Sequence, residues 1–216
     1  MLKRGLAFAL ALVMLASVSV AGATGMEIEK NGQWYTEVSA WAKDGVEKAI
    51  DLGVAYWPSR GDAKTSISRC YFAEDAAAVV ALAYGSDLAA YEGFRVLQLM
   101  RGTGDNQKYA YETLDILRGR GNGDMDFFGN ITRQEAAVML ARAYRIYCDE
   151  IHDDMEPLAY ADKNDIADWA KEDVALITHL GVMNGIGENK FDPKGVYTLE
   201  QCFVTLVRLY EKTAQG

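Results

Sequence analysis

Apolar positions in the chain recur mostly at three- and four-residue steps. Between Ala42 and Leu52 they fall at Val46, Ala49 and Ile50, and between Ala170 and Leu180 at Val174 and Ile177. That spacing predicts two amphipathic helices. Gly53 and Gly181 follow them where a left-handed residue closes a helix. Further on, Asn184 to Gly195 (NGIGENKFDPKG) is dense in Gly, Asn, Asp and Pro, the residues of chain reversal. A second type of helix follows such loops. Thr132 with Glu135 three residues on forms the pattern of a capping box, and AAVMLARAY continues from it in helical period. Ser68 stands in the same place ahead of Arg69, with Tyr71 where the acid would be. No alternating stretch of useful length suggests a strand, so the expected class is all-α.

The pattern repeats. Trp41-Ala42-Lys43 and the helix after it match Trp169-Ala170-Lys171, with Val46/Val174, Leu52/Leu180, Gly53/Gly181 and Val54/Val182 identical. Leu114 to Glu135 aligns without a gap on Leu180 to Gln201, preserving Gly119/Gly185, Gly121/Gly187, Asp126/Asp192, Gly129/Gly195 and Thr132/Thr198. Arg69 lies near the same period before Arg133. A repeat of about 65 residues places units at 34–86, 87–150 and 157–216.

Composition narrows what such a chain does. With 22 Lys+Arg against 31 Asp+Glu the net charge of the 216 residues is −9, which argues against a general nucleic-acid binder. An anionic polymer would need a local basic site. Lys3 and Arg4 precede an apolar run from Leu6 to Val20 and then Ala21-Gly22-Ala23, the pattern of a secretory signal over residues 1–23. The run is short for a bilayer span, so a membrane anchor is disfavoured. Cys70, Cys148 and Cys202 allow at most one disulfide, and with only His152 and His179 they form no zinc motif. The loop at Asn122 to Asp126 has alternating oxygens, but Phe127 and Arg133 occupy the Gly and Glu positions of a calcium hand. Nucleophile and Walker motifs are absent as well, and no enzyme, metal or cofactor is expected.

The triplicated residues resemble the S-layer homology domain. Its elements stand here as Tyr160-Ala161-Asp162, Trp169-Ala170, Leu180-Gly181-Val182, Asn184-Gly185 and Phe191-Asp192-Pro193 in the third unit, and as Ile131-Thr132-Arg133-Gln134-Glu135 in the second. The first carries Tyr35, Trp41-Ala42, Leu52-Gly53-Val54 and Ile67-Ser68-Arg69. The resemblance implies a pseudo-three-fold spindle of three modules with a central three-helix bundle. Grooves between modules would bind secondary cell-wall polymer linked to peptidoglycan, often through a pyruvylated sugar, and so hold a secreted protein on the bacterial cell wall. Glycan-binding residues implied are Arg69, Arg133, Trp41, Trp169, Lys43, Lys171, Asp162, Gly185 and Gly187. Arginines at helix starts suit a carboxylate shared with free backbone N–H groups, and Trp faces suit the apolar side of a sugar. Departures are Leu199 in the Arg position of the third unit, no Trp in the second, and no Asn-Gly step in the first. They keep open an alternative, an exported protein-interaction or S-layer assembly module with degenerate grooves, whose partner is another envelope protein.

Overall fold

A computed structural model describes residues 25–55, 60–84, 115–120, 124–148 and 155–214. The expected leader at 1–23 and the opening of the second unit lie outside the described residues. The chain begins with strands β1 (Met26–Lys30) and β2 (Gln33–Val38), followed by helix α1 (Lys43–Leu52), strand β3 (Arg60–Asp62) and helix α2 (Arg69–Tyr84). Helix α3 spans Arg133–Tyr147, two single 3₁₀ turns at Lys163–Asp165 and Asp168–Ala170 lead into α4 (Lys171–His179), and α5 covers Leu199–Thr213.

The three strands overturn the all-α expectation. β1 and β2 form an antiparallel hairpin, and β3 lies parallel to β2 with Trp34 opposite Arg60. The hairpin turns at Asn31 and Gly32, whose φ angles of 52° and 77° are those of a two-residue turn built for right-twisted strands. Its alternation is hard to read because it is broken. Ile28 and Tyr35 point inward, but the register slips between Met26 and Ile28, and Glu37 turns at φ 55° before Val38 points inward again. The broken period leaves no run of alternating residues longer than a few positions, and β3 is only three residues long.

Helices α2, α3 and α5 pack on one another around a core that includes Phe72, Leu140, Phe203 and Leu206. Their starts are joined in a closed ring of backbone hydrogen bonds. Ile67 N–H donates to the Tyr197 carbonyl at 3.1 Å, Tyr197 N–H to Ile131 at 3.1 Å, and Ile131 N–H to Ile67 at 3.3 Å. The first N–H groups of each helix are satisfied by the loop of another unit. Arg69 and Cys70 donate to Gly129 and Phe127, Arg133 and Gln134 to Gly195 and Pro193, and Leu199 and Glu200 to Thr65 and Ala63. Orphan donors at a helix start need such acceptors when the end is buried. Side-chain caps complete the arrangement, with full capping boxes at Thr132/Glu135 and Thr198/Gln201.

The remaining helices lie outside this bundle, α1 against α5 and α4 against α3. Gly45 permits the first approach, since a Cβ there would meet Val204 Cγ2 at 2.6 Å and Val204 Cα at 3.2 Å. Gly53 and Gly181 end their helices at φ 71° in both cases. Among the described residues no helix is long and apolar enough to cross a membrane. Cys70 and Cys202 are buried free thiols, and Cys148, also free, caps the end of α3.

Candidate functional site

Two grooves open between units, each built from parts that are distant in sequence. The first, about 440 Å³, is lined by Arg69 from the start of α2, Arg118 and Arg120 from the loop before α3, the α3 face at Gln134, Glu135, Val138 and Arg142, and Trp169. The second, about 610 Å³, has Arg133, the loop Asn184 to Gly187, the α5 face at Glu200, Gln201, Val204 and Arg208, and Trp41 with Lys64. The two have the same plan. Each combines an arginine from the start of one bundle helix, the loop before the next bundle helix with that helix's face, and a tryptophan from a third stretch of the chain.

Both tryptophans stand out from the surface, Trp41 at 58% and Trp169 at 59% exposure. Both arginines do the reverse, at 7% for Arg133 and 3% for Arg69. A buried guanidinium must find acceptors for its five donors. Each arginine donates an Nη2–H to a loop carbonyl, Arg69 to Arg118 at 2.7 Å and Arg133 to Asn184. The Nε–H of each has no partner. A second arginine clips the same loop two residues earlier, Arg142 on the Ile116 carbonyl at 3.2 Å and Arg208 on Val182 at 3.4 Å. Burial pulls the Arg142 pKa below its ordinary value, with nearby Arg118 adding to the effect.

The grooves differ in how their arginine is neutralised. Arg69 Nη1 donates to Glu135 Oε1 at 2.5 Å, and Arg120 Nη2 lies 3.3 Å from the same oxygen. The other oxygen of Glu135 takes the N–H and hydroxyl of Thr132, each at 2.8 Å. One carboxylate therefore closes the capping box and neutralises Arg69. Burial still draws the Arg69 pKa down, with Arg120 adding to that and Glu135 opposing it. In the second groove the corresponding helix position is Gln201, whose Oε1 accepts the Thr198 N–H at 3.2 Å. Among the described residues no carboxylate lies within salt-bridge distance of Arg133. It packs instead on aromatic faces, 5.1 Å from the Phe191 ring centre and 5.8 Å from Tyr197. Glu200, the acid of this groove, is held by Lys64 at 2.5 Å and by the Ser39 N–H at 2.9 Å.

The other expected site residues are distributed unevenly. Gly185 and Gly187 line the second groove. A Cβ on Gly185 would meet the Lys190 carbonyl oxygen at 2.7 Å, and Gly187 has φ 109°, so each position demands glycine. Lys43 and Lys171 line neither groove, Lys43 being paired along α1 with Glu47 at 2.7 Å and Lys171 with Asp168 of the preceding 3₁₀ turn at 2.6 Å. Asp162 is a loop clamp, accepting the N–H groups of Phe191 and Asp192 at 2.9 and 2.8 Å. Burial opposes its ionisation, but those bonds and Lys190 carry its pKa below the ordinary value. Leu199, in the third arginine position, is buried at 2% exposure. Arg142, Arg208 and Lys64 were not among the expected site residues. The signal for the first two was present, since extending the alignment of Glu135 on Gln201 by seven positions pairs Arg142 with Arg208.

The two segments that Asp162 clamps together, its own turn and the loop from Asn184 to Asp192, also lie where the chain matches known proteins. Residues 159–201 match the S-layer homology domain. Within the matched segment lie the Asp162 clamp, Trp169 and the Gly185/Gly187 loop. Three curated proteins are similar to parts of the chain. "Exoglucanase XynX" of Acetivibrio thermocellus is 33% identical over 45% of this chain and 9% of its own length. "Amylopullulanase" of Thermoanaerobacterium thermosulfurigenes is 32% identical over 39% of this chain and 4% of its own. "Endoglucanase" of a Bacillus species, strain KSM-635, is 30% identical over 51% of this chain and 12% of its own. The chain thus spans only a small fraction of each of these larger proteins.

Proposed function

We propose that the protein is an exported, non-catalytic anchor that holds to the bacterial cell wall through grooves between three S-layer homology modules. Its ligand is an acidic secondary cell-wall polymer, and a pyruvylated terminal sugar has the right chemistry. The observation that carries this reading is the second groove. There a buried arginine, with no carboxylate in salt-bridge distance among the described residues, lines a cleft edged by an exposed tryptophan and a glycine-walled loop. A ligand carboxylate would supply the acceptors that the Arg133 guanidinium lacks, and Trp41 would cover the apolar face of the ring that carries it. The match of residues 159–201 to the S-layer homology domain supports the same class of function. The three similar polysaccharide-acting proteins, each far longer than the matched part, fit a shared attachment module rather than a shared catalytic one.

Co-sedimentation with cell walls before and after mild acid removal of the secondary polymer tests this. Binding lost on stripping is the expected result, and absence of binding to untreated walls refutes it. A second reading has its own support in Leu199, buried where the repeat has arginine, and in the internal neutralisation of Arg69. On that reading the protein assembles on another envelope protein, and it gains if wall binding survives Arg133→Ala.

A further inference from the structure

Asn184-Gly185 is an asparagine-glycine step on an exposed loop. In such a step the backbone nitrogen of the glycine attacks the side-chain amide before it most easily, because glycine has no Cβ in the way. The fold prepares this step for reaction. Neither the Gly185 N–H nor the Asn184 side-chain amide has a hydrogen-bond partner among the described residues, so nucleophile and electrophile are both unengaged. The carbonyl of the same peptide unit, that of Asn184, accepts from Nη2 of the buried Arg133. A cation on that oxygen stabilises the negative charge that reaches it when the Gly185 N–H loses its proton, and burial strengthens the effect. Comparable positions each lack a part. In the first groove Arg69 bonds the Arg118 carbonyl in the same way, ahead of Gly119, but Arg118 carries no side-chain amide. Asn31-Gly32 has amide and glycine, yet Asn31 sits at φ 52° in the hairpin turn, with no cation bonded to its carbonyl among the described residues. Asn189 precedes a lysine, and its amide is tied to the Ala159 carbonyl at 2.9 Å.

We propose that Asn184 is a self-modifying site, converted to isoaspartate with Arg133 as the promoting residue. The Gly185 nitrogen gives its proton to water and bonds to Asn184 Cγ, and the Cγ–Nδ2 bond breaks to release ammonia. Water then opens the resulting succinimide at the carbonyl carbon that Arg133 polarises. The chain now runs through Cγ, and the former backbone carbonyl becomes a free carboxylate still bonded to Arg133. Water is consumed and ammonia released, with no oxidant or reductant. The product gives Arg133 an internal carboxylate, as Glu135 gives one to Arg69. The modification is independent of the anchoring function above. Its effect on attachment, a decline in wall binding as the protein ages, rests on that reading.

The test follows the folded chain over days at mildly alkaline pH. Samples are digested, and electron-transfer fragmentation, which tells isoaspartate from aspartate, locates each new acid. Position 184 converts about tenfold faster than position 31 or more, the equivalent of one charge-assisted hydrogen bond, and yields isoaspartate. Arg133→Gln, shown folded by circular dichroism, removes that advantage. Should the variant not fold, the wild type unfolded in urea serves in its place, since Arg133 no longer reaches the loop there and positions 31 and 184 convert alike. Equal rates at the two positions in the folded wild type overturn the proposal, as does aspartate as the sole product. An undiminished advantage of position 184 in folded Arg133→Gln, or in urea, overturns it too. Aged protein, enriched in the converted form, sediments less with cell walls than fresh protein, and equal sedimentation overturns the neutralisation of Arg133. If conversion proceeds as expected while fresh protein already ignores the walls, the modification stands and the anchoring function fails.

Discussion

Replacing Glu135 by alanine should destabilise the protein far more than replacing it by glutamine. The carboxylate serves two structural ends at once, an ion pair to Arg69, whose side chain is 4% exposed, and the return half of the capping box to Thr132. Removing one partner of a buried pair costs about 3–5 kcal/mol, because the remaining charge stays buried without compensation. The lower end applies here, since the groove admits water and Arg69 keeps its bond to the Arg118 carbonyl. Loss of the box adds about 0.5–1 kcal/mol. Glu135→Ala should therefore lose about 3–4 kcal/mol in total. Glu135→Gln keeps the box and an acceptor for Arg69, losing only the difference between a charged and a neutral hydrogen bond, about 1–2 kcal/mol. With a urea m-value of about 2 kcal/mol/M, the alanine variant should unfold at a midpoint lower by about 1.5–2 M and the glutamine variant by about 0.5–1 M. Two variants that unfold together, both within about 0.3 M of wild type on the same m-value, would refute the assignment of Glu135 as the neutralising group.

Other expectations follow from the same packing. Burial, with Glu74 adding to it and the Cys202 thiol 3.9 Å away opposing it, raises the pKa of Asp75 well above the ordinary carboxylate value. The folded state therefore holds a proton that the unfolded chain releases, and stability falls as pH rises above the normal carboxylate range. Asp75→Asn should flatten that decline between pH 4 and 8 in thermal unfolding, and an unchanged slope would count against it. Asp162 has the opposite sign: its lowered pKa gives stability that is present at neutral pH and lost on acidification, and Asp162→Asn should reduce that acid sensitivity. Gly45→Val should overpack the contact of α1 with α5 and destabilise by about 1–3 kcal/mol, with Val204→Ala partly restoring stability in the double variant.

The helices and their caps were legible because the signals are local. Thr132 with Glu135 and the glycines at 53 and 181 declare helix ends in a few residues, and the structure uses each as expected. The hairpin was not legible, although Asn31-Gly32 is a strong turn signal, because the slip at Met26/Ile28 and the reversal at Glu37 break the alternation beside it. In the grooves, sequence reasoning found the arginines, the tryptophans and the loop glycines, and these line the two clefts. Lys43, Lys171 and Asp162 share the repeat but bond within their own stretch of the fold, Lys43 to Glu47, Lys171 to Asp168 and Asp162 to the Phe191 and Asp192 N–H groups. Repetition reports that a position matters to the unit and is silent on whether it serves the fold or the cleft. Pairing across units, such as Arg69 with Glu135 or Ser39 with Glu200, depends on three-dimensional closure that no local pattern encodes.

The hydrogen-bond ring through Ile67, Ile131 and Tyr197 has a kinetic consequence. Its last bond joins residues 130 apart, and Ser39 meets Glu200 across 161 residues. Contacts of such long range must wait for loop closure, and they slow folding relative to locally wired helical proteins. A chain emerging end-first, whether from the ribosome or through a membrane pore, holds the N-terminal part of the ring with no acceptor for Ile67 until Tyr197 has arrived. Helix α2 can form early, but its circle closes only once Tyr197 has emerged. The same architecture that builds each groove from distant segments therefore delays the finished clefts until the strand-like segment at Tyr197 and the helix after it have emerged.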